Sequence, residues 1–173
     1  NLNQTSCLLS AFYTKALKKY NTALKQRNRA IKLKEKYTIW DEIIINNAIL
    51  IWKERQKNIT ETNKEILKIQ KENNIIKKVE ISIKGIETNK EKIEKELQNR
   101  KTEDERFGRT TYGPHTDKIN IFINKKSIKN HASQGEKSLC FSLLKKAEAN
   151  MIEKRTKKEP IILLDDILSK LDK

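Results

Sequence analysis

The spacing of apolar residues constrains this chain more than any other feature. Ile44, Ala48, Ile51, Arg55, Ile59, Thr62, Ile66 and Ile69 fall three or four positions apart, which is the period of one helix face. This long stretch begins near Trp40. A shorter one precedes it over 11–36, with Phe12, Ala16, Tyr20, Ala23 and Leu24 at helical spacing and basic residues between them. Two such stretches in succession predict an antiparallel helix pair or a short coiled-coil arm. The seam is imperfect and rich in Asn, which argues against a long autonomous coiled coil. The period then switches to two. Val79, Ile81 and Ile83 alternate with Glu80, Ser82 and Lys84, the pattern of a half-buried strand, and Gly85 ends it. From Thr88 to about Asp104 the chain reads as a strongly charged helix.

Beyond Gly108 the character changes. Ile119, Ile121 and Ile123 predict a strand, followed by a hairpin turn at Asn124 and Lys125. In "ASQGEKSLCFSLLKKAEANMIEK", Leu139, Leu143, Leu144, Ala147 and Met151 predict an amphipathic helix. Pro160 then introduces Ile161, Ile162, Leu163 and Leu164, an apolar run that reads as a fully buried strand of a parallel sheet. The expectation is a mixed α/β fold divided near residue 105. A mainly helical lobe with one strand occupies 1–105, and a lobe of alternating strands and helix occupies 106–173.

Charge narrows the partners. The 173 residues include 38 basic and 23 acidic ones, for a net charge of +15. Between Phe12 and Lys36 stand nine Lys/Arg residues and one acid, Glu35. Such a stripe suits a phosphate backbone, because Lys and Arg displace its condensed counterions. Lys15, Lys18, Lys25 and Arg27 are the candidates; the plainer alternative is a merely solvated face in a composition rich in Lys, Ile and Asn. Cys7 and Cys140 are far apart, and with only His115 and His131 available a Cys/His zinc site is not expected. No stretch approaches the roughly 18 apolar residues of a membrane span, and no signal peptide is visible, so the cytosol is the expected compartment. The chain opens on Asn1 rather than Met, as a piece of a longer protein would.

Two places could carry chemistry. Asp165 and Asp166 directly follow the apolar run, and adjacent charges where a buried strand surfaces call for compensation, typically by a metal ion. Ser133 and Glu136 form an S-x-x-E capping box at the start of the amphipathic helix. A capped helix needs nothing more. Yet Gly135 in the first turn lowers helix stability and clears bulk from outward-pointing N–H groups. With a serine hydroxyl and the positive end of the helix dipole, that is an anion site. Holding a nucleoside triphosphate also requires a G-x-x-x-x-G-K-[ST] loop. The one glycine pair at that spacing, Gly108 and Gly113, is followed by Pro114 and His115 instead, so this chain is not expected to hold ATP by itself.

An anion-binding Ser-Gln-Gly start, one helix before a strand ending in two aspartates, resembles the C-terminal half of an ABC-type ATPase. The resemblance sharpens with three further stretches. "YTKALKKYNTALKQRNRAIK", "IWDEIIINNAILIWKERQKNI", "GRTTYGPHTDKINIFIN", "ASQGEKSLCFSLLKKAEANMI" and "PIILLDDILSKLD" are similar, in order, to segments of the RecF family of bacterial recombination-repair proteins. The last two correspond to its ABC signature and to its Walker B and D-loop. The resemblance implies an ABC-type ATPase head, here its C-terminal part, with an inserted helical second lobe. It implies an ATP-dependent homodimer that binds double-stranded or gapped DNA and promotes recombinase loading at single-strand gaps with RecO and RecR. By the same resemblance Ser133, Gln134 and Gly135 contact the γ-phosphate of ATP held by the opposite subunit. Asp165 serves Mg2+, Asp166 is catalytic for hydrolysis, and Asp172 lies at the dimer interface.

The chain departs from the family pattern at Thr116 and Lys118, at Glu136, Lys137 and Ser138 in the signature, and at Lys170 in the D-loop. None of these touches the Walker B acids; they bear on interface polarity and DNA contacts. Two other functions compete. An SMC-like chromosome-maintenance ATPase would need a far longer arm. A non-enzymatic basic helical scaffold for nucleic acid would leave the placement of Asp165, Asp166 and Ser133–Gly135 unexplained.

Overall fold

The structure is a computed structural model and describes residues 11–162. Helix α1 runs Ala11–Leu33 and helix α2 runs Asp41–Glu72, joined through a short 3-10 turn at Thr38–Trp40. Strand β1 spans Val79–Lys84. Helices α3 (Lys90–Asn99) and α4 (Lys101–Phe107) follow, then a 3-10 turn at Pro114–Thr116. Strands β2 (Lys118–Ile123) and β3 (Lys126–Ser127), the short helix α5 (Ile128–His131) and the long helix α6 (Gln134–Thr156) complete the described fold. It is mixed α/β and mostly helical.

The chain forms two compact units, each built from two stretches. One takes in the described residues up to Gln56 together with Lys84–Lys118; the other takes in Lys57–Ile83 and the described residues from Ile119 onward. Neither ends near residue 105. Strand β1, assigned by sequence to the helical lobe, belongs instead with β2 and β3, because its backbone joins their sheet in the order β1-β2-β3.

In the helical unit, α1 and the first half of α2 are antiparallel: Arg27 near the end of α1 bonds Asp41 at the start of α2, and Tyr13 bonds Arg55. Their shared core is Tyr13, Ala16, Tyr20 and Ala23 against Ile44, Ile45, Ala48, Ile51 and Trp52, with Ile93 and Leu97 of α3 added. The charged helix expected over 88–104 is two helices. Asn89 caps α3 by accepting from the Lys92 N–H at 2.8 Å. The backbone leaves helical geometry at Arg100, and α4 then carries Asp104 into the interior.

In the sheet-bearing unit, Ile66 and Ile69 of α2 pack with Val79, Ile123, Ile128, Cys140, Leu143 and Ala147. All eight positions of the α2 seam are buried, Arg55 and Thr62 among them. The β2–β3 hairpin pairs Phe122 with Ser127 and Ile123 with Lys126. Asn124 and Lys125 at its turn both have positive φ, 48° and 66°, the type I′ geometry that matches strand twist.

The strand expected after Pro160 is not formed where the structure describes it. Ile161 and Ile162 are in neither helix nor strand, and Ile161 is 89% exposed. A buried strand needs neighbours for its N–H and C=O groups, and none of the three described strands pairs with these residues. Leu163 and Leu164, together with Asp165, Asp166, Lys170 and Asp172, lie outside the described residues.

Candidate functional site

Helix α6 begins at Ser133, whose side-chain oxygen accepts from the Glu136 N–H at 3.2 Å while the Glu136 carboxylate accepts from the Ser133 N–H at 2.9 Å. The capping box is therefore complete. The first backbone bond of the helix runs from the Lys137 N–H to the Ser133 carbonyl. The N–H groups of Gln134 and Gly135 lie ahead of that bond and have no intrahelical acceptor. Ser133 and Gln134 are exposed, and a Cβ placed on Gly135 would meet nothing within 4 Å. The three residues are thus gathered at an open helix start with donors facing outward, which fits an anionic oxygen. Glu136, a departure from the family pattern, has a local explanation. Besides closing the cap it pairs with Lys77 at 3.0 Å, and its bond to the Ser133 N–H, seconded by Lys77, holds its carboxyl below the usual range.

The candidate basic residues do not share one environment. Lys15, Lys18 and Lys25 are exposed on the outer face of α1. Arg27 is not available to a phosphate: it is fully buried, with Nε on Asp41 at 2.8 Å and Nη1 on Asp104 at 2.7 Å and on the Thr110 hydroxyl at 2.8 Å. Its guanidinium carbon lies 4.9 Å from the centre of the Tyr37 ring. Burial works against its charge, and the two carboxylates outweigh burial and hold the guanidinium protonated. Arg27 stands one helical turn beyond Ala23 and so falls on the apolar face of α1, which is why it packs inward.

Arg27 belongs to a buried polar network that sequence reasoning did not anticipate. Three of the five motif stretches converge in it. Asn28 accepts from both the N–H and the hydroxyl of Thr110, at 2.8 and 2.7 Å. Asp104 accepts from the N–H and hydroxyl of Thr111, both at 2.7 Å. Arg55 donates to the Pro114 carbonyl at 2.6 Å and to Asp117 at 2.5 Å, while the Trp52 indole N–H donates to Asp117 at 2.9 Å. Burial raises the Asp117 carboxyl above its ordinary value even though Trp52 and Arg55 oppose the shift. His115 Nε2 lies 3.0 Å from the Thr110 carbonyl and Nδ1 lies 2.6 Å from the Tyr20 hydroxyl. Gly113, at φ 139°, allows that approach: a Cβ there would sit 2.3 Å from the Tyr20 hydroxyl. The "TTYGPHTD" loop is accordingly clamped to α1 and α2. The available signal was Arg55, the one charged residue on the α2 seam, since buried charges come with partners.

Among the described residues no three of His, Cys, Asp and Glu gather to hold a metal ion, and no helix is long and apolar enough to cross a membrane. Of the predicted site, Ser133, Gln134 and Gly135 are brought together; Asp165, Asp166 and Asp172 fall outside the described residues.

No protein-family model matches the chain. Curated relatives do, each a DNA replication and repair protein RecF. That of Lachnoclostridium phytofermentans is 30% identical over 174 residues, covering 96% of this chain and 48% of the relative. That of Ruminiclostridium cellulolyticum is 33% identical over 171 residues, covering 92% and 46%. That of Clostridium botulinum strain Alaska E43 is 31% identical over 180 residues, covering 99% and 50%. Among solved structures, the recombination mediator protein RecF–ATP of the RecFOR pathway matches with a TM-score of 0.87 and 27% identity, over 99% of this chain and 50% of that one. RecF–ATPγS matches with a TM-score of 0.82 and 28% identity at the same coverage. The chain spans about half the length of the curated relatives it matches, and over that span it is similar to RecF in sequence and in fold alike.

Proposed function

We propose that this chain is part of a RecF-type ATPase that binds ATP and DNA in recombinational repair and replication, acting in the cytosol with RecO and RecR. The observation that carries this reading is the likeness to RecF–ATP over 99% of the chain, joined to the open, donor-lined start of α6. In it, Ser133, Gln134 and Gly135 receive the γ-phosphate of ATP held by the opposite subunit of an ATP-dependent homodimer. Their N–H groups and the positive end of the α6 dipole supply the attraction. Asp165 holds Mg2+, Asp166 orients and deprotonates the attacking water, and Asp172 lies at the subunit interface. Exposed Lys15, Lys18 and Lys25 contact the phosphate backbone of double-stranded or gapped DNA at which the recombinase is loaded; buried Arg27 is excluded from that role.

The test is Asp166→Asn in the full-length protein. Hydrolysis is expected to fall by about two orders of magnitude or more, the scale for loss of a positioned general base, while ATP binding is retained. Undiminished turnover would remove Asp166 from catalysis.

A further inference from the structure

Strand β1 is an end strand of the described sheet, in the order β1-β2-β3. Lys78, the residue just before it, turns its backbone toward the β2–β3 hairpin: the carbonyl accepts from the Asn124 N–H at 2.8 Å, and the N–H donates to the Asn124 side-chain oxygen at 2.9 Å. Lys77, Val79 and Ile81 therefore turn their N–H and C=O groups the other way, toward the free edge. Such a row is a template for another strand. The sequence V-E-I-S-I, with alternating β-branched residues and no proline, does nothing to discourage pairing.

Two side chains of α2 occupy that edge. Asn63 donates its amide N–H to the Ile81 carbonyl at 2.8 Å, and its oxygen accepts from the Ile81 N–H at 2.8 Å. Gln70 donates to the Lys77 carbonyl and accepts from the Val79 N–H at 3.4 Å. Each carboxamide thus offers one donor and one acceptor to the strand, as a peptide group of a neighbouring strand would. The spacing fits as well. Seven helical residues from Asn63 to Gln70 rise about 10.5 Å, and the three strand residues from the Lys77/Val79 pair to Ile81 rise about 10 Å.

We infer that Asn63 and Gln70 act as a surrogate strand whose role is to close the β1 edge against a second copy of this chain. The edge is a concealed self-association surface, and the two amides keep it shut. The inference is independent of any ATP or DNA chemistry.

Amide exchange on the unaltered protein gives the first reading. Val79 and Ile81 N–H groups, although on an end strand, are expected to exchange at least about tenfold more slowly than an open edge amide such as that of Ile83, since each has a fixed acceptor. Exchange as fast as that of Ile83 would overturn the proposal without any mutant. The second reading is Asn63→Ala/Gln70→Ala in the full chain. With helical circular dichroism intact, sedimentation velocity is expected to show concentration-dependent dimers, with Val79 and Ile81 exchanging about tenfold faster in dilute solution and slowing again as dimers form. A folded double variant that stays monomeric at every concentration would overturn it.

Discussion

Arg27 and Lys25 stand two residues apart on α1 in opposite surroundings, one fully buried between Asp41 and Asp104, the other on the solvent face. What separates them is phase on the helix, and the same logic of fixed partners governs His115. Its Nε2 faces a carbonyl, so Nε2 carries the hydrogen, and Nδ1 accepts from the Tyr20 hydroxyl. A second proton on Nδ1 would displace the buried Tyr20 hydroxyl hydrogen. Burial, the largest influence, lowers the His115 pKa below the ordinary 6.5. An unfolded histidine takes up its proton near that value, whereas the folded one resists until lower pH. The stability His115 contributes is therefore complete above about pH 6.5 and is lost as pH falls through the depressed folded value. Thermal melts at pH 7.5 and pH 5.5 are expected to show a larger loss of Tm for the unaltered protein than for His115→Gln, which keeps a donor and an acceptor but does not titrate. Equal losses in the two would mean that His115 does not couple folding to pH.

Helix α6 shows how one short element can hold a structural and a functional role that experiment separates. Ser133 caps the helix, and its removal would cost about 1 kcal/mol whatever else it does. Ser133→Asp keeps a good cap while placing a carboxylate where the proposed phosphate sits. Helix stability is expected to hold, and ATP-dependent dimerisation of the full-length protein to fail. Dimerisation unchanged by the substitution would leave Ser133 as a cap and nothing more. The elements differ in how far the sequence revealed them. The α2 seam, the β1 alternation, the turn at Asn124–Lys125 and the Ser133 capping box were legible, because each depends on neighbours within a few positions of the chain. The break at Arg100, the membership of β1 in the β2–β3 sheet and the network joining Arg27, Thr110, Arg55 and Asp117 were not. They follow from contacts between segments tens of residues apart, which no local period records. Arg27 was misjudged because its charge was weighed ahead of its place on the face shared by Tyr20 and Ala23.

Across the whole chain the net charge is +15, and a general excess of that size attracts any polyanion weakly. A specific DNA face has to do more than add to the excess, and salt dependence distinguishes the two. Each lysine that neutralises a phosphate contributes close to one unit to the slope of log K against log salt for duplex DNA. Replacing Lys15, Lys18 and Lys25 together by Ala in the full-length protein is expected to lower that slope by about three units and weaken binding to all sequences alike. Their exposure on α1 means that Tm should move little. Arg27→Ala should behave in the opposite way. It strands Asp104 in the interior without its cation, a loss of about 3–5 kcal/mol, and in the fraction that remains folded the salt slope should be unchanged. A triple lysine variant with the slope of the unaltered protein would return that face of α1 to ordinary solvated surface. A lowered slope for folded Arg27→Ala would show that the buried pair shapes the DNA face from within.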